Sequence, residues 1–455
     1  MSKDQLLGNE KISRLLIKLS VPATVSMFVN ALYNLVDTIF IGRGVGYLGI
    51  GGLTIAFPVQ MLIMAASLMI GVGASSVISR SLGAGDRDRA GRAAGNSFFI
   101  VGLLGVGICL FGLAFIEPLL RAFGATEDIR PYAQEYLEVI LIGSIYFPLV
   151  VSSNNLIRAE GKAMVAMSSM LIGAIANIIL DYIFIFPLQM GVYGAALATI
   201  LSQLLSAFYV LAYFLSGRSA IKIRLHYLQP EWRILREIIA VGFASFARNA
   251  AGSLIVIIVN HLLVAYGGSL ALSVYGVLQR VIRFLFMPLF GIVQGMQPIA
   301  GYNYGARKLD RVKRVVKLSV ISATVYATIT SLLAQAFPTF VIGLFGKEPD
   351  LIRNGAYALR FVIAVVPLVG VQVVGAALFQ AVGKAGPSLF LTLSREVLFF
   401  IPFVLILPGF FGLTGIWLSF PLADFFAILV TAVLLYREMR RMGPQEAGRT
   451  SESFL

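Results

Sequence analysis

Residues 83–89, GAGDRDR, recur 222 positions later as residues 305–311, GARKLDR. The same offset relates residues 159–163, AEGKA, to residues 381–385, AVGKA. A constant offset between segments this far apart is hard to obtain by chance. It indicates that the chain is a tandem duplication, with one copy of a single fold in each half.

The composition is typical of an integral membrane protein. Hydrophobic residues make up 58% of the chain, charged residues make up 13%, and the mean hydropathy is +0.88. A soluble domain carries about twice that fraction of charged residues. The apolar stretches are long enough to cross a hydrocarbon layer of ~30 Å as helices. We therefore expect an all-α integral membrane protein, and duplicated membrane proteins usually place a substrate between the two copies.

The apolar stretches predict twelve transmembrane helices, arranged as two six-helix repeats. In the first half they span residues 15–41, 49–79, 95–116, 131–155, 165–187 and 192–215. In the second half they span residues 238–265, 270–299, 318–341, 355–381, 388–408 and 411–436. The chain then divides into an N-terminal lobe (1–217), a cytoplasmic linker (218–237), a C-terminal lobe (238–440) and a disordered cytoplasmic tail (441–455).

The net charge of +14 reflects membrane topology. If the N-terminus is cytoplasmic, most Lys and Arg residues fall in the internal segments, including 87–92, 218–236, 307–317 and 437–441. This asymmetry is the positive-inside rule. We expect a multi-pass protein of the inner (plasma) membrane with both termini in the cytoplasm, and no nucleic-acid partner.

Polar side chains interrupt the first and fifth apolar stretches. The first carries a stripe at positions i, i+3, i+4 and i+7, made of Asn30, Tyr33, Asn34 and Asp37. In the fifth, Asn177 and Asp181 lie one turn apart on one helix face. An ionised residue at the bilayer centre costs about 2.5–3.5 kcal/mol even on lenient scales. Two such acids favour an ion or proton site, and the alternative is a structural role in which amides satisfy one another between helices.

The second half lacks these polar groups. At the same offset, the stripe becomes Gly252, Ile255, Val256 and Val259, while Asn177 and Asp181 become Phe399 and Phe403. Because the duplicated copy is expected to fold without these groups, the scaffold does not require them. This comparison favours a functional role and places the site in the N-terminal half.

The second half carries a different polar set within its predicted spans, namely Arg248, Arg280, Arg283, Arg395, Glu396 and Asp424. These residues either snorkel or pair between helices, or they line a substrate cavity. Adjacent helical residues point about 100° apart, so Arg395 and Glu396 are not expected to pair face to face.

Enzyme chemistry has little support in the sequence. No phosphate-binding loop is present, because residues 161–163 and 383–385 lack the upstream glycine spacing and the hydroxyl residue after Lys. The only histidines are His226 and His261, and no Cys/His cluster has metal-ligand spacing. We expect neither catalysis nor a resident cofactor.

Four segments, in order and spacing, resemble the multidrug and toxic compound extrusion (MATE) family, most closely its DinF-like branch. They are KLSVPATVSMFVNALYNLVDTIFIG (18–42), GVGASSVISRSLGAGD (71–86), AIANIILDYIFIF (174–186) and GVYGAALATILSQ (191–203). The resemblance covers residues 10–440. It implies two pseudo-two-fold lobes around a central cleft, and export of small amphiphilic molecules in exchange for Na+ or H+ by alternating access.

The resemblance also implies roles for particular residues. The cation or proton site, and hence the Na+ ligands, would be Asp37, Asn177, Asp181 and Thr199. The substrate cavity would include Asn30, Tyr33, Asn34, Tyr136 and Asn154. Pro22 matches the proline at which the first helix of the family bends. Some members carry coupling acids in the C-terminal lobe, but Gly252 and apolar neighbours occupy those positions here, so no second cation site is expected.

Two other functions remain open at this point. A lipid-linked oligosaccharide flippase of the wider superfamily would share the duplicated lobes and tolerate a basic cavity. A passive channel would need a polar lining in both halves, and the apolar counterparts of Asp37 and Asp181 argue against it. The expected partners are small amphiphilic substrates and the lipid bilayer, with the protein itself a monomer.

Overall fold

The computed structural model describes residues 6–442, and every regular element in that range is a helix. Nine of these helices are long and apolar enough to cross a membrane, and two bent pairs of shorter helices add one span each. One of the nine, Trp232–Gly305, has 74 residues, which is roughly 110 Å of helix and far more than one span needs. It is interrupted at Gly268, whose φ of 66° and ψ of −161° suit glycine. The described chain therefore holds twelve spans, which confirms the predicted number.

We name the spans α1 to α12 in chain order. The first six are α1 (Ile12–Gly44), α2 (Tyr47–Gly83), α3 (Arg87–Ala114), α4 (Arg130–Gly143 and Phe147–Ala159), α5 (Ala163–Ile185) and α6 (Gly191–Leu215). The second six are α7 (232–267), α8 (269–305), α9 (Leu309–Ala336), α10 (Pro349–Val362 and Val366–Ala381), α11 (Ala385–Phe411) and α12 (Leu413–Arg441). The fourth span of each half is bent, by 50° in α4 and by 52° in α10, so the duplication extends to this irregularity.

Short helices and turns lie before or between the spans. They are Leu6–Asn9, Ile116–Ala122, Pro338–Gly343 and the 3-10 turn Leu225–Leu228. The span α7 begins at Trp232, inside the segment expected to be linker. Residues 443–455, which make up most of the predicted tail, lie outside the described range.

Charged helix ends explain where the spans exceed the apolar stretches. The span α3 starts at Arg87, eight residues before the stretch predicted from hydrophobicity. The Asp86 side chain accepts a hydrogen bond from the backbone N–H of Arg89 (2.8 Å), which caps this end. Hydrophobicity locates the part of a helix inside the membrane, whereas the cap sets where the helix begins.

Each half packs as a lobe, and the lobes meet along α1 and α2 on one side and α7 and α8 on the other. In the N-terminal lobe, α5 packs against α1 and α6, and α2 packs against α4. In the C-terminal lobe, α9 packs against α10, and α11 packs against α12. The chain thus forms two helix bundles joined through their first two helices.

Glycines let the two lobes approach at backbone distance, and we call this contact the seam; it comprises Gly73, Gly83, Gly242 and Gly305. A Cβ atom on Gly242 would lie 1.7 Å from the carbonyl oxygen of Met69. A Cβ atom on Gly73 would lie 1.9 Å from the carbonyl oxygen of Ile238. Only a hydrogen fits at these positions, as is common where membrane helices pack closely. The seam lies at the end of the bundle where α1 begins, since Gly83 meets the backbone of Tyr302, whose ring lies against Gly8.

Polar contacts close the same end. Glu237 of α7 accepts hydrogen bonds from Arg80 (2.9 Å) and Arg89 (2.7 Å) of the N-terminal lobe. The Oγ of Ser76 donates to the carbonyl oxygen of Gln380 at 2.6 Å. These interactions join α2 and α3 to α7 and α10 across the lobe boundary.

Polar and ring contacts between the lobes stop about halfway along the bundle. The rings of Phe28 and Phe284 approach to 6.4 Å across the boundary, about halfway along α1 and α8. Beyond this pair, residues 6–442 show no hydrogen bond, ion pair or ring contact between the lobes. We infer that the space between the lobes beyond this pair is a cleft, open at the end opposite the start of α1.

Candidate functional site

The candidate site lies where α1, α5 and α6 pack together. An apolar cluster joins these helices and comprises Ile41, Ile185 and Ala195. Asp37 lies four residues from Ile41, Asp181 lies four residues from Ile185, and Thr199 lies four residues from Ala195. Each pair therefore shares one face of its helix. Because α6 runs antiparallel to α1 and α5, all three steps lead in the same direction, toward the N-terminal end. The fold therefore brings these three side chains together, one helical turn from the apolar cluster on the side toward the start of α1.

Direct contacts confirm that α1 and α5 run side by side at this level. A Cβ atom on Gly44 would lie 2.2 Å from Cγ2 of Ile185, so the two helix ends touch. The ring of Phe40 lies 6.3 Å from that of Tyr182. Asp37 and Asp181, one turn or less away, lie within electrostatic range of each other. We call these two residues the acid pair.

The acid and amide side chains of this site are buried and have oxygens that lack donors. Asp181 is 0% exposed, Asn177 is 1% exposed and Asp37 is 8% exposed. Both carboxylate oxygens of Asp181, and the Oδ1 atoms of Asp37 and Asn177, have no hydrogen-bond partner. The amide of Asn177 donates to Oγ1 of Thr199 at 3.5 Å, which leaves its own oxygen free to face the acids. A buried acceptor without a donor is destabilising, so the arrangement suits a positive species.

The ligand types indicate which positive species fit. In the range 6–442 no group of three or more His, Cys, Asp or Glu residues could hold a metal ion. The site instead offers two carboxylates, an amide oxygen and a hydroxyl. Oxygen ligands of this kind suit hard cations rather than soft transition metals. A proton or a Na+ ion fits this donor set.

Two phenols accompany the acid pair. Tyr33 and Tyr136 both lie within electrostatic range of Asp37. Tyr136 is buried, and its hydroxyl accepts a hydrogen bond from Nε2 of Gln60 at 3.1 Å. Sequence reasoning missed Gln60, although an amide within the apolar stretch 49–79 was a usable signal.

The other predicted cavity residues are partly satisfied elsewhere. Asn34 is exposed, and its amide donates to the carbonyl oxygen of Asn30 at 2.7 Å. Asn30 in turn donates to the Tyr33 hydroxyl at 3.5 Å. Asn154 lies on α4, is buried, and has an Oδ1 atom with no partner, but it makes no hydrogen bond to the acid pair. Asn30 and Asn34 bond to each other within one helix rather than between helices, so their assignment to the substrate cavity stays a prediction.

Pro22 lies within α1 at the lobe boundary. It is buried, and its carbonyl oxygen accepts a hydrogen bond from Oγ of Ser26 at 2.8 Å. On either side of it, Ser20 and Thr24 lie against glycines of α8. Its missing N–H removes one backbone bond from the helix. The hinge role of Pro22 stays a prediction.

The duplicated positions in the second half are packed with apolar side chains. The rings of Phe399 and Phe403 each lie 5.7 Å from that of Phe426 on α12. Ile255 and Val259 are buried in the core of the C-terminal lobe. This lobe holds together without polar groups at these positions, so the same packing does not require them in the N-terminal lobe.

Five of the six charged residues predicted within the second-half spans fall into two groups, and Arg248 belongs to neither. Arg395 binds Asp424 of α12 through Nε and binds Glu396 through a terminal nitrogen at 2.7 Å. The expectation that Arg395 and Glu396 do not pair was wrong. They lie in a π-helical segment, Ser394–Phe400, which winds less tightly and brings adjacent side chains closer in direction. Arg280 and Arg283 are exposed, and neither forms a hydrogen bond or ion pair within the described chain.

Comparison with known proteins gives a consistent result. The sequence profile of the MatE family matches residues 22–183 and again residues 241–406. The multidrug export protein MepA of Staphylococcus saprophyticus subsp. saprophyticus is 27% identical over 444 residues, which are 96% of either chain. A crystal structure of a MATE transporter in the bent conformation superposes with a TM-score of 0.92 at 28% identity, covering 97% of this chain and 98% of that one. An outward-facing multidrug resistance MATE transporter of the MOP superfamily superposes with a TM-score of 0.90 at 28% identity, covering 97% of this chain and 99% of that one.

One profile matches both halves, which agrees with the duplication seen in the sequence and in the bent spans α4 and α10. The similarity extends over nearly the whole chain and over its three-dimensional structure. Assignment to the DinF-like branch stays a prediction. The chain is a membrane transporter rather than an enzyme, and it belongs to the MatE family of multidrug and toxic compound extrusion proteins.

Proposed function

We propose that this protein is a secondary active multidrug exporter that exchanges Na+ or H+ for amphiphilic organic molecules. The observation that carries the proposal is the set of buried, donor-free oxygens on Asp37, Asn177 and Asp181. The MepA relatives are multidrug export proteins, which supports small molecules as the cargo. We further propose that the protein works as a monomer in the inner (plasma) membrane, with both termini in the cytoplasm.

The acid pair would act as the coupling element. Two carboxylates held out of water repel each other, and neither has a donor to stabilise its charge. A proton or a Na+ ion relieves both penalties, with Asn177 and Thr199 supplying further oxygens. An ion that binds one conformation better than another shifts the equilibrium between them by that difference in affinity. When the substrate binds the other conformation better, the bound ion lowers the affinity for substrate and the bound substrate lowers the affinity for the ion. This mutual weakening is what exchange requires.

Alternating access would use the two ends of the cleft. With a cytoplasmic N-terminus, the seam closes the cytoplasmic end and the cleft opens outward. The similarity to an outward-facing relative supports this orientation. Pro22 lies on α1 between Ser20 and Thr24, which contact α8, and Asp37 lies roughly 22 Å further along α1. A bend at Pro22 would therefore move Asp37 relative to Asp181 and to the C-terminal lobe. A relative solved in a bent conformation supports such a motion.

The ion gradient supplies enough energy for export. One elementary charge crossing 100 mV provides about 2.3 kcal/mol. At one-to-one exchange, this supports roughly 50-fold accumulation of a neutral substrate.

A lipid-linked oligosaccharide or other lipid flippase remains the second candidate. The observation that favours it is Arg248, an exposed arginine in the wall of the cleft, which would suit a phosphate-bearing lipid. A passive channel is less well supported, because Phe399 and Phe403 pack an apolar wall where a polar lining would be needed.

We expect purified protein in proteoliposomes to move the cationic dye rhodamine 123 against its concentration gradient when a Na+ or proton gradient is imposed. The dye should move uphill with one of these gradients and stop when that gradient is collapsed by an ionophore. Dye fluorescence inside the vesicles measures this directly, with protein-free vesicles as the control. A flippase would instead move a fluorescent lipid and leave the dye unaffected. A channel would let the dye equilibrate whatever ion gradient is present.

A further inference from the structure

Arg248 lies at the centre of the membrane region of the C-terminal lobe. It is sixteen residues into α7, which places it roughly 24 Å from Trp232 along a span of about 54 Å. A cationic side chain at this depth is expensive even on lenient scales, so it needs compensation from protein, water or ligand.

The protein itself supplies little of that compensation. The Arg248 guanidinium forms no hydrogen bond or ion pair with any residue in the described range. Glu396 lies within electrostatic range but accepts a hydrogen bond from Arg395 instead. An arginine carries five N–H donors in a fixed fork, and here all five remain available.

The side chain faces the cleft rather than the lipid. Arg248 is exposed, and its guanidinium lies over the Phe290 ring of α8, a helix of the lobe boundary, so we place its free side on the cleft. One turn earlier on α7, the Ser245 hydroxyl accepts a hydrogen bond from Gln380 at 3.0 Å, at the closed end. Arg248 therefore lies just above the floor of the open cleft.

Aromatic rings surround this position. The guanidinium carbon lies 5.8 Å from the centroid of the Phe290 ring. Phe290 lies 6.2 Å from Phe286 on the same face of α8, and the residue after it, Gly291, packs against Thr24 of α1. The surface combines a fork of hydrogen-bond donors with an apolar aromatic platform at the lobe boundary.

We propose that Arg248 and Phe290 form a subsite for the acidic group of an amphiphilic substrate, a carboxylate or a phosphate. A guanidinium binds such groups through two parallel hydrogen bonds. The aromatic rings would hold the apolar body of the same molecule. The inference rests on the proposed export function and extends it to further substrates. A cleft with the acid pair on one wall and Arg248 on the other would accept zwitterionic or acidic amphiphiles as well as cations.

A matched pair of dyes tests the proposal. Rhodamine 110 carries a free carboxylate, and rhodamine 123 is its methyl ester, so the two share one fluorophore. Binding of each dye is measured by fluorescence anisotropy with the full-length protein in phosphatidylcholine nanodiscs, with empty nanodiscs subtracted. The variants are Arg248→Gln, Arg248→Lys and, as the control, Arg353→Gln, which changes an arginine near the start of α10 whose side chain is 82% exposed.

We expect Arg248→Gln to raise the Kd of rhodamine 110 by about ten-fold, as loss of a charge-assisted hydrogen bond predicts. The Kd of rhodamine 123 should change by less than about two-fold, which also shows that the variant is folded. Arg248→Lys should give an intermediate value, because lysine keeps the charge but loses the two-pronged geometry. Arg353→Gln should leave both dyes unaffected.

Equal changes for both dyes, or no binding of rhodamine 110 to the unmodified protein, would overturn the subsite. Such a result would leave the export function standing if rhodamine 123 still moves uphill in proteoliposomes.

A second set of nanodiscs, made with phosphatidylglycerol, tests whether the acidic group comes from a lipid or from a soluble substrate. If the lipid phosphate is the natural ligand, phosphatidylglycerol should displace rhodamine 110 from the unmodified protein and not change the weak binding to Arg248→Gln.

Discussion

Asp37→Asn and Asp181→Asn are each expected to lower export by at least about 100-fold, which is the upper range of coupling between two sites. An amide has nearly the same shape as a carboxylic acid, but it neither takes up a proton at neutral pH nor attracts a cation. Each variant would therefore lose the differential ion affinity that links exchange to the gradient. Efflux of rhodamine 123 from cells, and drug resistance in a susceptible host, measure the loss.

The protein should stay folded in both variants, because Val259 and Phe403 occupy the equivalent positions of the other lobe with apolar side chains. Size-exclusion chromatography and membrane abundance check this. Asp128→Asn serves as the control, since this acid is exposed in the same half of the chain. Normal drug resistance from either Asp37→Asn or Asp181→Asn would reject the acid pair as the coupling site.

Gly242→Ala is expected to shift the protein away from the conformation with a closed seam. The new methyl group would lie 1.7 Å from the carbonyl oxygen of Met69, so α7 and α2 would have to separate. Overpacking of this kind costs about 1–3 kcal/mol, which is roughly a 5- to 150-fold change in the conformational equilibrium. Because transport requires both conformations, we expect export to fall by a similar factor.

Gly252→Ala is the matched control on the same helix, because a Cβ atom there meets nothing within 4 Å. Spin labels on the exposed residues Ala84 and Asp310, in a background without Cys109, report the separation of the lobes at the closed end. Pulsed electron paramagnetic resonance should show a longer distance in Gly242→Ala and an unchanged distance in Gly252→Ala. The same short distance in both variants would show that the seam does not depend on close backbone approach.

Much of the fold follows from the sequence because the membrane simplifies the problem. Apolar stretches long enough to cross the bilayer must be helical, and the 222-residue offset shows that six of them repeat. The predictions fail at the ends of spans, where caps and charged residues decide. The start of α3 at Arg87 and that of α7 at Trp232 both lie in polar sequence.

The candidate site could be predicted only in part. Asp37 and Asp181 stand out because ionisable residues are costly in an apolar stretch, and Thr199 came from the family resemblance. Gln60 was missed because its partner, Tyr136, is 76 residues away, and no local pattern connects them. The pairing of Arg395 with Glu396 depends on a π-helical segment that periodicity does not reveal.

The seam shows a different limit. Glycine is frequent in this chain, with 45 residues, and the sequence does not distinguish a glycine such as Gly242 from one such as Gly252. The first lies against the backbone of the other lobe and the second faces open space. Only the three-dimensional arrangement separates a glycine that joins the lobes from one that does not.

The central claim is that the acid pair binds the coupling ion in competition with substrate. The most direct measurement is the Kd of rhodamine 123 for the purified protein as Na+ is added and as the pH is lowered. The account predicts that at least one of these changes weakens dye binding in the unmodified protein, and that the Asp37→Asn, Asp181→Asn double variant binds the dye equally under all conditions. A Kd that is independent of Na+ and pH in the unmodified protein, or an ion dependence that survives in the double variant, would contradict it.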